Sequence, residues 1–206
     1  MIMRRDDEIS RRELELMGNP NFEGTIIDIE TYGPFEGFSR LDGRKYRRIR
    51  PTVFGAFDSE KITQIYLVTD NFDKMRDSIL EVLTDLSRPY YAFNALFEMG
   101  VLLNFLGEEV MFEYDIQHPQ AGYFEKKERV FRDMQQRNGH IQHKDLFYDP
   151  YRGDGRKAMK EWARFIHTGD ERLMNRVVAH NRACLLKEWY ILSHRRAIPA
   201  KKLNRN

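Results

Sequence analysis

The sequence predicts an α/β protein built on one mixed β-sheet, and two observations carry this prediction. Along the chain, three strand-like segments come first, then helix, strand, helix and strand, and then a series of helices. The 206 residues are 41% apolar and 32% charged, the composition of a globular protein with a strongly ionised surface. This length is enough for a single domain with a substantial core.

The predicted strands are short apolar runs that end at turn residues. The first run is rich in isoleucine and threonine and stops at the turn pair Gly33 and Pro34. The second and third runs are separated by a short polar link, which predicts a β-hairpin. We expect strands at residues 25–31, 51–58, 61–70, 89–94 and 108–116.

Helices are predicted where apolar residues recur at three- and four-residue spacing. Phe72, Met75, Ile79 and Val82 form one such face, and Gly107 marks the end of a second helix. We expect helices at residues 71–86, 95–107, 124–137, 154–168 and 170–195.

The chain is expected to contain one domain with short additions at both ends. Residues 1–22 are rich in charge and predict a short amphipathic helix or a loose arm. Residues 23–195 contain every predicted core element. Residues 196–206 are basic and contain no acid, which predicts a mobile tail with weak affinity for phosphate groups.

Charge and cysteine content limit the classes of function. The net charge is only +2, so any attraction for nucleic acid has to come from local clusters of basic residues. The single cysteine, Cys184, excludes an internal disulfide and a cysteine-based zinc cluster, and it favours the reducing cytoplasm. No apolar run reaches the roughly 20 residues needed to cross a bilayer. We therefore expect a cytoplasmic protein with no membrane partner.

Two acids on the first predicted strand need an explanation. Asp28 and Glu30 are two residues apart, so their side chains point to one face of the strand, while Ile27 and Ile29 point to the other. A buried carboxylate is costly unless it is neutralised. Hard divalent cations such as Mg²⁺ and Mn²⁺ take oxygen ligands. The pair therefore indicates a metal site, with acids alternating on a half-exposed strand as the alternative.

Three ordered segments resemble the exonuclease motifs of the DEDD (DnaQ-like) superfamily, in the branch of predicted 3′–5′ exonucleases and ribonuclease H-like domains. The segments are IIDIET, YYAFNALFEMGVL and RVVAHNRACLLKEWYIL, and the likeness spans residues 24–194. The resemblance implies a ribonuclease H-like mixed sheet flanked by helices. It also implies two Mg²⁺ or Mn²⁺ ions and hydrolysis of single-stranded DNA or RNA at the 3′ end.

The first two motifs assign metal ligands through this resemblance. Asp28 and Glu30 match the acids of the first motif, and Thr31 follows them at a position expected to contact nucleic acid. In the second motif, Asn94 matches the leading asparagine, and Glu98 replaces the usual aspartate. Glutamate keeps the charge on a longer side chain, so we expect Glu98 to reach the metals. The alternative is an acid stabilised by a helix N-terminus.

The third motif departs from the family pattern. His180 matches its leading residue and is expected to position or deprotonate the attacking water, or to bind a softer metal such as Mn²⁺. Cys184 stands where an aspartate is expected. Thiolate is a poor partner for Mg²⁺. His180, Cys184 and Glu188 are spaced by four residues and share one helix face, so Cys184 or Glu188 is a candidate for a further ligand. The alternatives are a small core cysteine and an exposed helix acid.

Basic segments are the candidate contacts for nucleic acid. By the same resemblance, Asp145 supports the site and Lys157 approaches a phosphate. The loop after the first strand adds basic residues among aromatic ones, and such mixtures bind phosphates and stack on bases. The basic loop residues singled out are Arg44, Lys45, Arg47 and Arg48.

Two functions of different classes follow from these patterns. The first is a metal-dependent nuclease, most simply a 3′–5′ exonuclease, in which Asp28, Glu30 and Glu98 hold the metals. The second is a ribonuclease H-like nucleic-acid-binding or scaffold module that has lost catalysis, which Cys184 favours. An unrelated α/β protein with a chance Asp-x-Glu pair remains as a third alternative.

Overall fold

The computed structural model describes residues 1–18, 23–120, 123–139 and 145–204, and it confirms the α/β fold class. Residues 19–22 of the predicted arm and 205–206 of the predicted tail lie outside this description. The strands are β1 Ile2–Glu8, β2 Thr25–Tyr32, β3 Arg50–Phe57, β4 Lys61–Leu67, β5 Tyr90–Ala92, β6 Tyr114–Asp115, β7 Pro119–Gln120, β8 Tyr123–Phe124 and β9 Ile198–Pro199.

Seven of these strands form one mixed sheet in the order β1-β4-β3-β2-β5-β6-β9. The central strand, β2, pairs antiparallel with β3 and parallel with β5. On one side, β3 continues antiparallel into β4, as the predicted hairpin requires, and on the other side β5 runs parallel to β6. This order and these directions are consistent with a ribonuclease H-like fold.

The helices flank the sheet close to their predicted positions. All five predicted helices begin and end within about three residues of the predicted bounds, because their apolar periodicity is matched by the packing. Within the described residues, no helix has an apolar stretch long enough to cross a bilayer. The helices are α1 Arg11–Met17, α2 Phe72–Asp85, α3 Ala95–Leu106, α4 Lys127–Asn138, α5 Gly155–Thr168 and α6 Glu171–His194, with a short 3-10 helix at Gly43–Tyr46.

The two ends of the chain differ from expectation because both of them pair with sheet edges. The first part of the predicted arm is β1, which runs antiparallel along β4, and the predicted short helix is α1. Most β1 side chains are charged and exposed, a pattern that protects an edge strand from pairing with other chains. In the predicted tail, β9 pairs with β6. Of the strand predicted at 108–116, only the two residues of β6 are a strand in the structure.

The central strand has two different faces, as its alternation predicts. Ile27 and Ile29 pack in the larger core cluster with side chains of α2 and α3. Ile26 packs on the other side with side chains of α6. Asp28 and Glu30 share this second face, so α6 covers the acids.

A glycine on β3 lets α6 come this close to the sheet. Gly55 is paired in register with Asp28, and a Cβ atom at Gly55 would lie 2.1 Å from the side-chain oxygen of Asn181 on α6. That oxygen accepts a hydrogen bond from Gln64 at 2.8 Å. The Asn181 amide donates to the Asp28 backbone and side chain at 3.0 and 2.8 Å. Because Gly55 has no side chain, Asn181 can lie against β3, where its amide orients the Asp28 carboxylate.

We expect Gly55→Ala to lower the free energy of unfolding by about 1–3 kcal/mol, because the added methyl group overlaps Asn181 and forces α6 away from β3. Urea denaturation followed by tryptophan fluorescence measures this change. Gly37→Ala is the matched control, since a Cβ atom there meets no atom within 4 Å. Equal stability of the two variants would contradict the packing described here.

Candidate functional site

One cavity of about 310 Å³, which we call the acidic cavity, opens beside the end of β2. It is bordered by β2, by the starts of α3, α4 and α5, and by α6. The three acids predicted as metal ligands and the predicted histidine all lie on its wall. The chemically active side chains that line it are Asp28, Glu30, Glu98, Lys127, His180 and Cys184.

Asp28 is buried, and both of its carboxylate oxygens have partners. The Lys127 ammonium lies 2.6 Å from one oxygen, and the Asn181 amide donates to the other at 2.8 Å. Burial alone would raise the pKa of this carboxyl group, but Lys127, with a hydrogen bond to Glu188 and the charge of His180, lowers it. A lysine ammonium therefore neutralises the acid for which the sequence predicts a metal ion.

Glu188 is fully buried, so the alternative of an exposed helix acid is wrong. Its carboxylate is bonded to the Lys127 ammonium and accepts a hydrogen bond from the backbone N–H of Phe93 at 3.0 Å. Burial raises the pKa of Glu188 to about 8. One lysine thus joins Glu188 on α6 to Asp28 on β2.

Lys127 is a site residue that sequence reasoning missed. It is the first residue of α4 and lies 99 positions from Asp28, in a segment that matches no expected motif. The chain has 34 lysines and arginines, and nothing in the local sequence separates this one from the others. The sequence contained only an indirect signal: two acids on one apolar strand require either a metal ion or a basic side chain from elsewhere in the chain.

His180 lies between acids from two other parts of the chain. Its Nδ1 is 2.7 Å from a carboxylate oxygen of Asp149, and its Nε2 is 3.7 Å from a carboxylate oxygen of Glu30. Burial opposes protonation of the ring, but Cys184, Glu30 and Asp149 together raise the pKa of His180 to about 12. The ring is therefore an imidazolium that donates its Nδ1–H to Asp149.

The acid that supports the site histidine is Asp149, four residues beyond the predicted Asp145. Asp149 accepts hydrogen bonds from the backbone N–H groups of Tyr151 and Gly153, each at 2.8 Å, and from the Lys187 ammonium at 2.7 Å. These donors hold the carboxylate in one position. Asp145 is exposed. The Asp-Pro turn at 149–150 was a local signal for such a fixed carboxylate.

Glu98 lies at the start of α3 and is buried at 3% exposure. One of its carboxyl oxygens has no hydrogen-bond partner among the described residues. Burial, together with the charges of Asp28 and Glu188, raises the pKa of Glu98 well above its usual range. An unpartnered buried polar atom is costly, and a cation in the acidic cavity would supply the missing partner. The carboxyl oxygens of Glu98, Asp28 and Glu30 are ligands that fit a divalent ion.

Two of the predicted nucleic-acid contacts lie at the acidic cavity. Thr31 and Asn94 are on its wall, next to the exposed ring of Phe35. The Asn94 side chain accepts a hydrogen bond from Arg40, so one basic residue of the predicted loop reaches the rim. An exposed aromatic ring at the rim is suited to stacking on a base.

The other predicted basic contacts do not line the acidic cavity, and four of the five have a local partner. Arg44 and Arg47 line a different cavity, at the C-terminal end of α3, whereas Glu98 lies near the N-terminal end of that helix. Lys157 is exposed on α5. The local partners are Asp42 for Arg44, the Phe38 carbonyl for Lys45, Glu36 for Arg48 and Asp154 for Lys157.

A second cleft, which we call the basic cleft, continues from the acidic cavity. It has a volume of about 740 Å³ and runs between the start of α4 and the turn that leads into α5. The two cavities share Lys127, Arg156 and Cys184, so they form one continuous surface. Seven basic residues and two acids line the basic cleft. The basic ones are Lys126, Lys127, Arg129, Arg132, Arg152, Arg156 and Lys187.

None of the family models, curated proteins or solved structures compared with this chain matches it. The resemblance to the DEDD superfamily therefore stays a prediction, and the function has to be argued from the site.

We expect the free energy of unfolding of the metal-free protein to fall as the pH rises from about 5 to 8. Burial raises the pKa of Glu30 to about 7 and that of Glu188 to about 8. The folded protein therefore holds protons at these positions, and at Glu98, that the unfolded chain loses near pH 4.5. Because the folded state binds more protons, its stability falls with pH, by on the order of 6 kcal/mol over this range.

Urea denaturation in the presence of a chelator, at pH values between 5 and 8, measures this slope. Glu188→Gln should flatten it, because the variant has no proton to lose at that position. Glu108→Gln, at an exposed position, should leave the slope unchanged. A Glu188→Gln slope as steep as that of the wild type would contradict the assignment.

Proposed function

We propose that this protein is a metal-dependent nuclease that hydrolyses phosphodiester bonds in single-stranded DNA or RNA, most simply as a 3′–5′ exonuclease. One observation carries the proposal. Buried acids from β2 and α3 line a cavity that opens directly into a cleft with a strong excess of basic residues. A strand lying in the basic cleft would bring a phosphate to the acids. A cytoplasmic location belongs to this proposal, since the single buried thiol suits a reducing compartment.

The acids are suited to holding divalent cations. Asp28, Glu30 and Glu98 supply carboxylate oxygens, and the unpartnered oxygen of Glu98 is the clearest open ligand. When bound, Mg²⁺ or Mn²⁺ would lower the pKa of water and stabilise charge on the phosphate. A cation beside Asp28 would take over the neutralising role of Lys127, which is then free to contact a phosphate oxygen in the adjoining basic cleft.

His180 and Asp149 form a proton-handling pair. Asp149 fixes the ring through Nδ1, so Nε2 is the nitrogen directed towards Glu30 and the acidic cavity. In the metal-free protein the ring is protonated, and it can accept a proton from water only after giving one up. Neutralising Glu30 with a cation favours that loss, because Glu30 is one of the charges that hold the proton on the ring.

Substrate contacts divide between the two cavities. The exposed ring of Phe35 offers a stacking surface at the rim of the acidic cavity, where the terminal base would lie. Arg132 and Arg156 are exposed on the walls of the basic cleft and suit the sugar–phosphate backbone. Backbone contacts of this kind carry no preference for DNA or RNA, so the proposal includes both.

A second candidate is a nucleic-acid-binding module without catalysis. The observation that favours it is Lys127, which already neutralises Asp28 and bonds to Glu188 without any metal. Cys184 also stands where the family pattern requires an acid. A protein of this kind would bind single strands in the basic cleft and leave them intact.

We expect the purified protein to shorten end-labelled single strands in the presence of Mg²⁺ or Mn²⁺, and Asp28→Asn to reduce the rate by at least about 100-fold. The reason is that the amide cannot hold a cation beside the phosphate. Asp145→Asn is the matched control, because it makes the same chemical change at an exposed position outside the acidic cavity. Gel analysis of the products also gives the direction of digestion.

The outcomes separate the two candidates. Digestion by the wild type and the control, with loss in Asp28→Asn, supports the nuclease. Binding of single strands with no digestion by any of the three proteins supports the module. Neither binding nor digestion would contradict both.

We expect the basic cleft, rather than the predicted loop, to dominate strand affinity. Replacing Arg132 and Arg156 by glutamine should weaken binding and lower the slope of log affinity against log salt by about 1.4, since each lost contact with a single-stranded phosphate contributes about 0.7. Replacing Arg47 and Arg48 by glutamine removes the same charge from the loop and should change the slope little. Fluorescence anisotropy at several salt concentrations measures both, and a larger effect in the loop variant would show that the cleft is the wrong surface.

A further inference from the structure

Three side chains at one end of the acidic cavity place nitrogen, sulfur and oxygen donors together. His180 and Cys184 are one turn apart on α6, and Glu30 faces them from β2. One donor atom from each lies within 4.8 Å of the other two. All three residues are buried and line the cavity. This set differs from the all-oxygen set considered above, because it includes a thiol and an imidazole.

The distances within the cluster are close to those of a tetrahedral metal site. The His180 Nε2 atom is 3.7 Å from the Glu30 oxygen and 3.9 Å from the Cys184 sulfur. For zinc bond lengths of about 2.0–2.1 Å to nitrogen or oxygen and 2.3 Å to sulfur, tetrahedral ligands stand about 3.3 to 3.6 Å apart. A contraction of a few tenths of an ångström would bring these two distances into that range, and side-chain rotation can provide it. The Glu30 and Cys184 donor atoms lie within 4.8 Å of each other and would approach in the same way.

The surroundings of His180 are those of a metal-bound histidine. Metal ligands of this type usually donate their other ring N–H to a carboxylate, which fixes the tautomer and the ring orientation. The Nδ1 of His180 is 2.7 Å from Asp149, and Asp149 is itself held by Lys187 at 2.7 Å. The remaining nitrogen, Nε2, is the one that faces Glu30 and Cys184.

We propose that Glu30, His180 and Cys184 form a zinc-type metal centre, with Asp149 as the residue that positions the histidine. Thiolate and imidazole favour Zn²⁺ and related borderline ions over Mg²⁺. Three protein ligands beside a cavity leave a coordination position for water or a phosphate oxygen, as in catalytic zinc sites.

The inference rests on the proposed nuclease and revises its metal, from an ion held by Asp28, Glu30 and Glu98 to one held by Glu30, His180 and Cys184. In this centre the Nε2 atom of His180 binds the metal and so does not accept a proton from water. Metal binding itself is measured without any substrate.

The test is titration of the metal-free protein with Co²⁺, a spectroscopic substitute for zinc. We expect about one equivalent to bind tightly, with the thiolate-to-cobalt absorption band in the near ultraviolet, and Zn²⁺ to displace it. Cys184→Ser should lose the band. Asp149→Asn should keep the band but bind about 10- to 100-fold more weakly, because the ring is no longer held in place. His167→Gln, at an exposed position, is the matched control and should behave as the wild type.

Two results would overturn the inference. One is a wild-type protein that binds no cobalt with a thiolate band, a result that does not depend on any variant folding. The other is a band that persists in folded Cys184→Ser, with folding checked by circular dichroism. Digestion of strands without a cobalt band would refute the zinc-type centre alone, and a cobalt band without digestion would refute the nuclease alone.

Discussion

The site depends on the contacts of one ammonium group, that of Lys127, with the buried acids Asp28 and Glu188. The ammonium lies 2.6 Å from Asp28, whose charge it neutralises, and it also bonds to Glu188, so one ammonium group from α4 joins buried acids on β2 and α6. Removing one partner of a buried ion pair commonly costs about 3–5 kcal/mol, because the remaining charge stays buried without compensation. The packing of α4 against α6 is therefore coupled to the presence of an acid on the central strand. Lys127, Asp28 and Glu188 each depend on the other two for a partner.

The charges of the remaining acids are compensated in different ways, and these ways determine which groups a bound cation would displace. Asp149 is ionised and held by His180 and Lys187, which lower its pKa despite burial. Burial raises the pKa of Glu98, and one of its oxygens lacks a partner in the described part of the chain. A cation held by Asp28 and Glu98 would therefore displace Lys127 from Asp28 and compete with protons at Glu98. Its affinity should depend on pH for this reason, since metal ligands have to be deprotonated.

The fold could be predicted from the sequence where periodicity is strong, and the site only where its residues are local. The alternation of β2 placed Asp28 and Glu30 on one face, and the three- and four-residue spacing located the main helices. β1 was missed because its mostly charged side chains show no buried face, and pairing with β4 alone defines it. Lys127 and Asp149 reach the site through tertiary packing, so no spacing in the sequence relates them to the acids. Composition also does not reveal that Arg44 and Arg47 line a different cavity, or that Arg44, Lys45 and Arg48 have local partners.

The neighbours of Cys184 in the structure change how this residue is interpreted. By sequence, Cys184 looked like a lost acid, and a lost acid weakens the case for catalysis. In the structure it lies 3.9 Å from the Nε2 of His180 and shares the cavity with Glu30, so the position still offers a donor atom. What changes is the preference of the site, since a thiolate selects a softer ion than a carboxylate does. Under the proposed zinc-type centre, the cysteine at position 184 corresponds to a change of metal rather than to the loss of a metal site. An ion held by Glu30, His180 and Cys184 does not require Asp28, so Lys127 can remain beside that carboxylate.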